Sequence, residues 1–88
     1  MIYSNVDLIN VLVRNGYHIT GAIFNNKDNK RKVHAKKKLN LFDVKIKIVN
    51  SVAIVSFTFG SKFLCSVIRI DSNESLNTFN DYLKSLHK

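Results

Sequence analysis

Nine basic side chains fall within 21 consecutive positions: Lys27, Lys30, Arg31, Lys32, Lys36, Lys37, Lys38, Lys45 and Lys47. Only Asp28 and Asp43 oppose them, and nine cations less two carboxylates leave +7 of the chain's net +8 on this one segment. Spread evenly, such an excess would bear on solubility; concentrated, it makes a field that attracts phosphate or an acidic protein surface. The chemistry this suits is phosphate binding, because each phosphate neutralised by a cation releases condensed counterion. Eight of the nine are lysine, a point charge without the planar fork that reads base edges. Backbone contact with little sequence preference is therefore expected. His34 alternates in step with Lys32, Lys36 and Lys38 and joins the candidate set, and Asn25, Asn26, Asn29 and Asn40 offer further polar contacts. Tyr17, Phe42 and Phe63 are aromatics that stack on a base or, equally, pack in a core or interface.

Other chemistries find little support. Gly16, Gly21 and Gly60 are isolated, so there is no phosphate-cradling glycine loop. His18, His34 and His87 lack ligand spacing, and a single cysteine, Cys65, leaves too few donors for a structural zinc site and none for an internal disulfide. Cys65 is expected to pack within a sheet, with no neighbouring base to activate it. Asp71, Glu74 and Asp81 are better explained by helix capping and a solvated face than by catalysis. The expectation is no enzyme, no cofactor and no metal.

The elements that position these residues are legible from periodicity. Ser4 is a good N-cap for a helix over residues 5–15, with Asp7 in its first turn, Gly16 as its stop, and Val6, Ile9 and Val13 as the apolar face, flanked by Ile2, Leu8 and Leu12. Residues 17–24 read as a strand and residues 25–30 as a polar turn. From Lys32 to Asn40 the even positions are basic or polar and the odd ones apolar, broken once by Lys37. From Asp43 onward the phase flips, which requires a bulge or short turn between Asn40 and Asp43. Asn50-Ser51 and Gly60-Ser61 then read as two-residue hairpin turns. The resulting register puts Val44, Ile46, Ile48, Ala53, Val55, Phe57, Phe59, Leu64, Ile68 and Ile70 on one face. A last helix begins at Asp71-Ser72-Asn73, with Leu76, Phe79, Tyr82, Leu83 and Leu86 at helical spacing. The fold class is α+β: an antiparallel meander of four or five strands, with an N-terminal and a C-terminal helix packed on one sheet face, in a single domain over residues 1–88.

The opposite face of that register carries Val49, Val52, Ile54, Phe63 and Val67 beside Arg69. This is too much apolar surface to leave in water, so either a homodimer forms through Ile54, Phe63, Val67 and Arg69, or the helices rearrange to cover both faces. No run approaches the roughly 18 apolar residues of a membrane span. With no basic residue before Arg14 and with Asp7 inside the first apolar stretch, a signal peptide is not expected, which leads to a cytoplasmic location without membrane partners.

Asn (11), Lys (11), Ile (9), Phe (6) and Tyr (3) dominate the composition, and Pro, Trp and Gln are absent, a bias toward AT-rich codons. In size, charge and composition the chain resembles the small accessory proteins of T-even-type phages. That resemblance implies an anti-defence or host-takeover factor, one that inhibits a host nuclease or toxin. The helix–strands–helix order resembles, in topology, the double-stranded-RNA-binding domain, and RNA is accordingly preferred to DNA. That family grips phosphates with basic residues at the start of its last helix; here Asp71-Ser72-Asn73-Glu74 is acidic and an additional strand is present, so none of its binding residues carries over. The leading expectation is a nucleic-acid-binding protein. The alternative is a protein–protein inhibitor whose basic hairpin docks on an acidic host surface.

Overall fold

The computed structural model describes residues 3–25 and 30–86. Helix α1 (Asn5–Arg14) precedes strands β1 (His18–Asn25), β2 (Lys30–Leu39), β3 (Phe42–Val49), β4 (Val52–Phe59) and β5 (Lys62–Arg69), and helix α2 (Asn73–Ser85) follows. All five strands form one antiparallel sheet in chain order, so the architecture is α+β with a five-stranded meander. The strands reach into the polar turn expected at 25–30, since Asn25 belongs to β1 and Lys30 to β2. Lys27, like Ile2 and His87, lies outside the described residues.

Three hairpins turn on two residues each: Leu39 pairs with Phe42, Val49 with Val52, and Phe59 with Lys62. Their first central residues are Asn40, Asn50 and Gly60, all with positive φ, a conformation that Gly and Asn enter at least cost. The phase flip between β2 and β3 is thus a turn. A bulge occurs elsewhere, in β1, where Ile19 faces Ala35 and Gly21 faces His34, leaving Thr20 as the extra residue.

Val33, Ala35, Val44, Ile46, Ile48, Ala53 and Val55 share one sheet face and are buried together with Leu8, Val11 and Leu12 of α1 and Leu76, Phe79 and Leu83 of α2. Both helices therefore lie on the same side, and rearrangement to cover both faces does not occur. Each starts on a capping box, Ser4 with Asp7 and Ser72 with Ser75. The phase of α1 differs from the expected one. Val6 and Val13 are 67% and 55% exposed, and the buried stripe is Leu8, Val11, Leu12 and Asn15. The helix is apolar over a wide arc, and Asn15 selects the inward side: its Nδ2 donates to Val11 O at 2.7 Å and to Asn80 Oδ1 of α2 at 2.8 Å. Past Asn15 the chain closes a Schellman motif, with Gly16 N donating to Val13 O and Tyr17 N to Leu12 O around a left-handed Gly16.

The helices do not reach the end of the apolar face. Thirteen residues of α2 rise about 20 Å, whereas an eight-residue strand extends about 27 Å. Phe42, Phe59 and Leu64, on the helix side at the Asn40 and Gly60 end, are consequently left exposed, Leu64 by 67%. Phe42 and Phe59 pack against one another there, with ring centroids 5.3 Å apart and planes tilted by 40°.

At the opposite end Arg31 is buried, and its guanidinium gathers three residues, Asn50, Asn5 and Tyr3. Nε donates to Asn50 O at 2.7 Å, Nη1 donates to Asn5 Oδ1 at 3.1 Å, Nη2 donates to the Tyr3 hydroxyl, and the Tyr3 ring lies 4.5 Å from the guanidinium carbon. Tyr3 in turn donates to Ile70 O. Replacing Arg31 by Met keeps apolar bulk and leaves these acceptors unmatched; a loss of about 2–3 kcal/mol in urea unfolding is expected. A second prediction concerns Tyr17, whose buried hydroxyl has no hydrogen-bond partner among the described residues. Burial, with Tyr82 adding to it, pushes this hydroxyl from 10.0 up to about 12. Above pH 10 the unfolded chain gives up a proton that the folded chain retains, so this contribution is whole below that pH and is lost as pH rises through the folded value. Urea midpoints for Tyr17→Phe measured upward from about pH 9 should fall less steeply than those of the parent chain.

Candidate nucleic-acid interface

Strand parity divides the basic cluster. On β2 the even members Lys30, Lys32, His34, Lys36 and Lys38 point away from the helices and are exposed, and across the β2–β3 turn the odd members Lys45 and Lys47 join them. Arg31 and Lys37 lie on the opposite side. Arg31 forms the buried clamp, and Lys37 Nζ donates to Asn15 O at 2.9 Å and lies 5.6 Å from the Tyr17 ring centroid. The break that Lys37 makes in the β2 alternation is therefore a cation at the C-terminus of α1, where the helix dipole favours it. A Cβ on Gly16 would come within 3.0 Å of that Nζ, a second reason for glycine at this stop.

The open face reads as rows across the sheet. His18 faces Lys36, which faces Lys45, which faces Ser56 and then Cys65. In the next row His34 faces Lys47, then Ile54 and Val67. Directly opposed side chains stand about 5 Å apart, and like charges in that relation destabilise a sheet. Among the described residues the only ion pair is Arg69 Nε–Asp71 Oδ2 at 3.9 Å, which involves none of these lysines. Two adjoining shallow clefts meet at Lys36 and Lys45. One, of about 470 Å³, is lined by Thr20, His34, Lys36, Lys45, Lys47 and Ser56; the other, of about 520 Å³, includes His18, Lys38 and Asp43. Both are open to solvent, a form suited to a polymer lying across the surface.

Ile54, Phe63, Val67 and Arg69 occupy the same open face on β4 and β5, adjoining the lysines of β3. The expected basic surface and the expected apolar surface are thus one continuous face. Phe63 and Val67 are 63% and 69% exposed, and Ile54 is half-buried. Cys65, expected to be packed, is exposed beside them because β5 is an edge strand with no helix on that side. His18, Thr20 and Ser56 complete the cationic half without having been singled out in the sequence. The alternation of β1 and β4 carries His18 and Ser56, but the bulge that places Thr20, whose Oγ1 donates to His34 O at 3.1 Å, leaves no periodic trace. No cluster of metal-ligating side chains and no helix long and apolar enough to cross a membrane occurs among the described residues.

The row geometry has a consequence for stability. Lys36→Thr removes one member of the Lys36–Lys45 pair and keeps a residue suited to strands, and it should raise unfolding free energy by about 0.2–1 kcal/mol at low salt. The gain should shrink as salt screens the parent's repulsion, so urea unfolding at two ionic strengths checks the sign and the cause together.

No family model matches the chain, and no curated protein or solved structure is similar to it.

Proposed function

We propose that the protein binds nucleic acid by holding phosphates on its open sheet face, through Lys32, Lys36, Lys38, Lys45 and Lys47, with His34, His18 and Lys30 at the margins. The observation that carries this reading is the direct opposition of Lys36 to Lys45, with Lys47 on the same face and no ion pair to any of these lysines among the described residues. Such rows cost stability in the isolated fold, and a polyanion supplies the missing counter-charge. Edge protection needs one or two lysines and explains neither their number nor their place on the central strand β3. Arg31 and Lys37 fall outside the interface by this reading, since both serve the fold. RNA is preferred on the topological resemblance to the double-stranded-RNA-binding domain. The resemblance to phage accessory proteins extends the proposal: RNA held on this face would be withheld from a host nuclease.

A second reading, docking on an acidic protein surface, draws support from Leu41, Phe42, Phe59 and Leu64, exposed together at the turn end of the sheet as a protein-binding patch would be. Purification separates the two: nuclease-sensitive material absorbing at 260 nm should accompany the protein. In mobility-shift titrations, binding should weaken with salt. Alanine at Lys36, Lys38, Lys45 or Lys47 should flatten the log–log slope by about 0.7–0.9 for each phosphate no longer held, on all sequences alike. Lys37→Ala should leave that slope unchanged. Failure to shift either RNA or DNA at about 50 mM salt, where phosphate binding is strong, would refute the proposal.

A further inference from the structure

The open face is ordered as well as charged. From β2 toward β5 the rows run from basic side chains to apolar or small ones, except at the Asn50 end. Lys47 leads to Ile54 and Val67, Lys38 leads past Asp43 and Thr58 to Phe63, and Lys32 leads to Val49 and Val52 before the row ends on Arg69. Lys45 leads to Ser56 and Cys65. Successive rows stand about 7 Å apart along the strands, and β5 lies about 10 Å from β3. A surface that repeats a cation on one side and an apolar position on the other matches a polymer with the same asymmetry.

We infer that the nucleic acid held on this face is single-stranded, with its phosphates along β2 and β3 and its bases laid over Ile54, Phe63 and Val67 on β4 and β5. The inference rests on the phosphate-binding reading and adds the strandedness and the polarity of the site. A duplex keeps its base faces stacked inside and offers phosphates on both flanks, so it leaves the apolar half of the sheet facing solvent. An unstacked strand uses both halves, because every base has a π-face for Phe63 and none needs to be recognised by its edge. The cationic half also selects this occupant over a second copy of the chain, since pairing two such faces brings two sets of lysines toward each other. Eight-residue strands with rows about 7 Å apart give room for about four nucleotides.

Phe63 is exposed at a sheet edge, so its replacement leaves the core intact, and the chain has no tryptophan. Phe63→Trp therefore introduces a single indole on the proposed platform. Anisotropy titrations of a labelled oligouridine series and of an RNA duplex, with indole emission read in parallel, test the idea at about 50 mM salt. Single strands should bind more tightly than the duplex, gain little beyond about four to six nucleotides, and quench the indole, while the duplex leaves emission unchanged. Phe63→Ala should weaken single-strand binding about 5- to 150-fold without altering the salt slope, because it removes a stacking surface and no cation. Val67→Ser should act in the same direction. Equal affinity for both forms, with an unquenched indole and a silent Phe63→Ala, overturns the base platform and leaves phosphate binding standing. If neither form binds and light scattering gives a dimer mass that Phe63→Ala reduces to the monomer, the face belongs to a second copy, and both readings fall.

Discussion

Burial of the sheet on one side only is the constraint from which the remaining features follow. Leu8, Leu12, Phe79 and Leu83 are wholly buried against the strands, and side chains of this size each contribute about 1.5–3 kcal/mol on leaving water. With both helices committed to that side, strand alternation sends every second residue to a face that no described element covers. The lysines of β2 and β3, Lys37 apart, are on that face because their neighbours are not. Repulsion among them is tolerable only because the apolar layer beneath is worth considerably more than the few tenths to about 1 kcal/mol that each opposed pair costs.

The same alternation explains why so much of the sheet was legible in the sequence. Two independent turn signals, Asn50-Ser51 and Gly60-Ser61, give a register with one nearly continuous apolar face, and the observed pairs are those expected. Sequence parity likewise singles out Lys37 as the inward member of its strand. Its acceptor, Asn15 O, lies 22 positions away and has no local signature. Arg31 shows the limit more sharply. Within its segment it is one more cation, and only the fold brings Tyr3, Asn5 and Asn50 around it.

Helix α1 illustrates a second kind of illegibility. Val6, Ile9 and Val13 make as good an apolar stripe as Leu8, Val11 and Leu12, and periodicity alone does not rank them. A polar pair marks the choice: Asn15 meets Asn80 across the helix interface, a hydrogen bond made only with the Leu8, Val11 and Leu12 side turned inward. Helix length hides in the same way. Each element is correctly assigned, yet the mismatch between a rise of about 1.5 Å per helical residue and about 3.3 Å per strand residue leaves an aromatic shelf at one end of the sheet.

The unneutralised rows on the open face also tie folding to surroundings. Lys36 and Lys45 stand directly opposed in the folded sheet, and any anion that shields them favours the fold over an unfolded chain in which the pair separates. By linkage, each increment of affinity is also an increment of conformational stability, growing with the logarithm of free ligand. Shielding and folding then share one free-energy scale, on which dissolved anions act without touching the buried core. Without such shielding the same chain keeps its architecture with a narrower margin, because the opposed lysines work against the sheet that carries them.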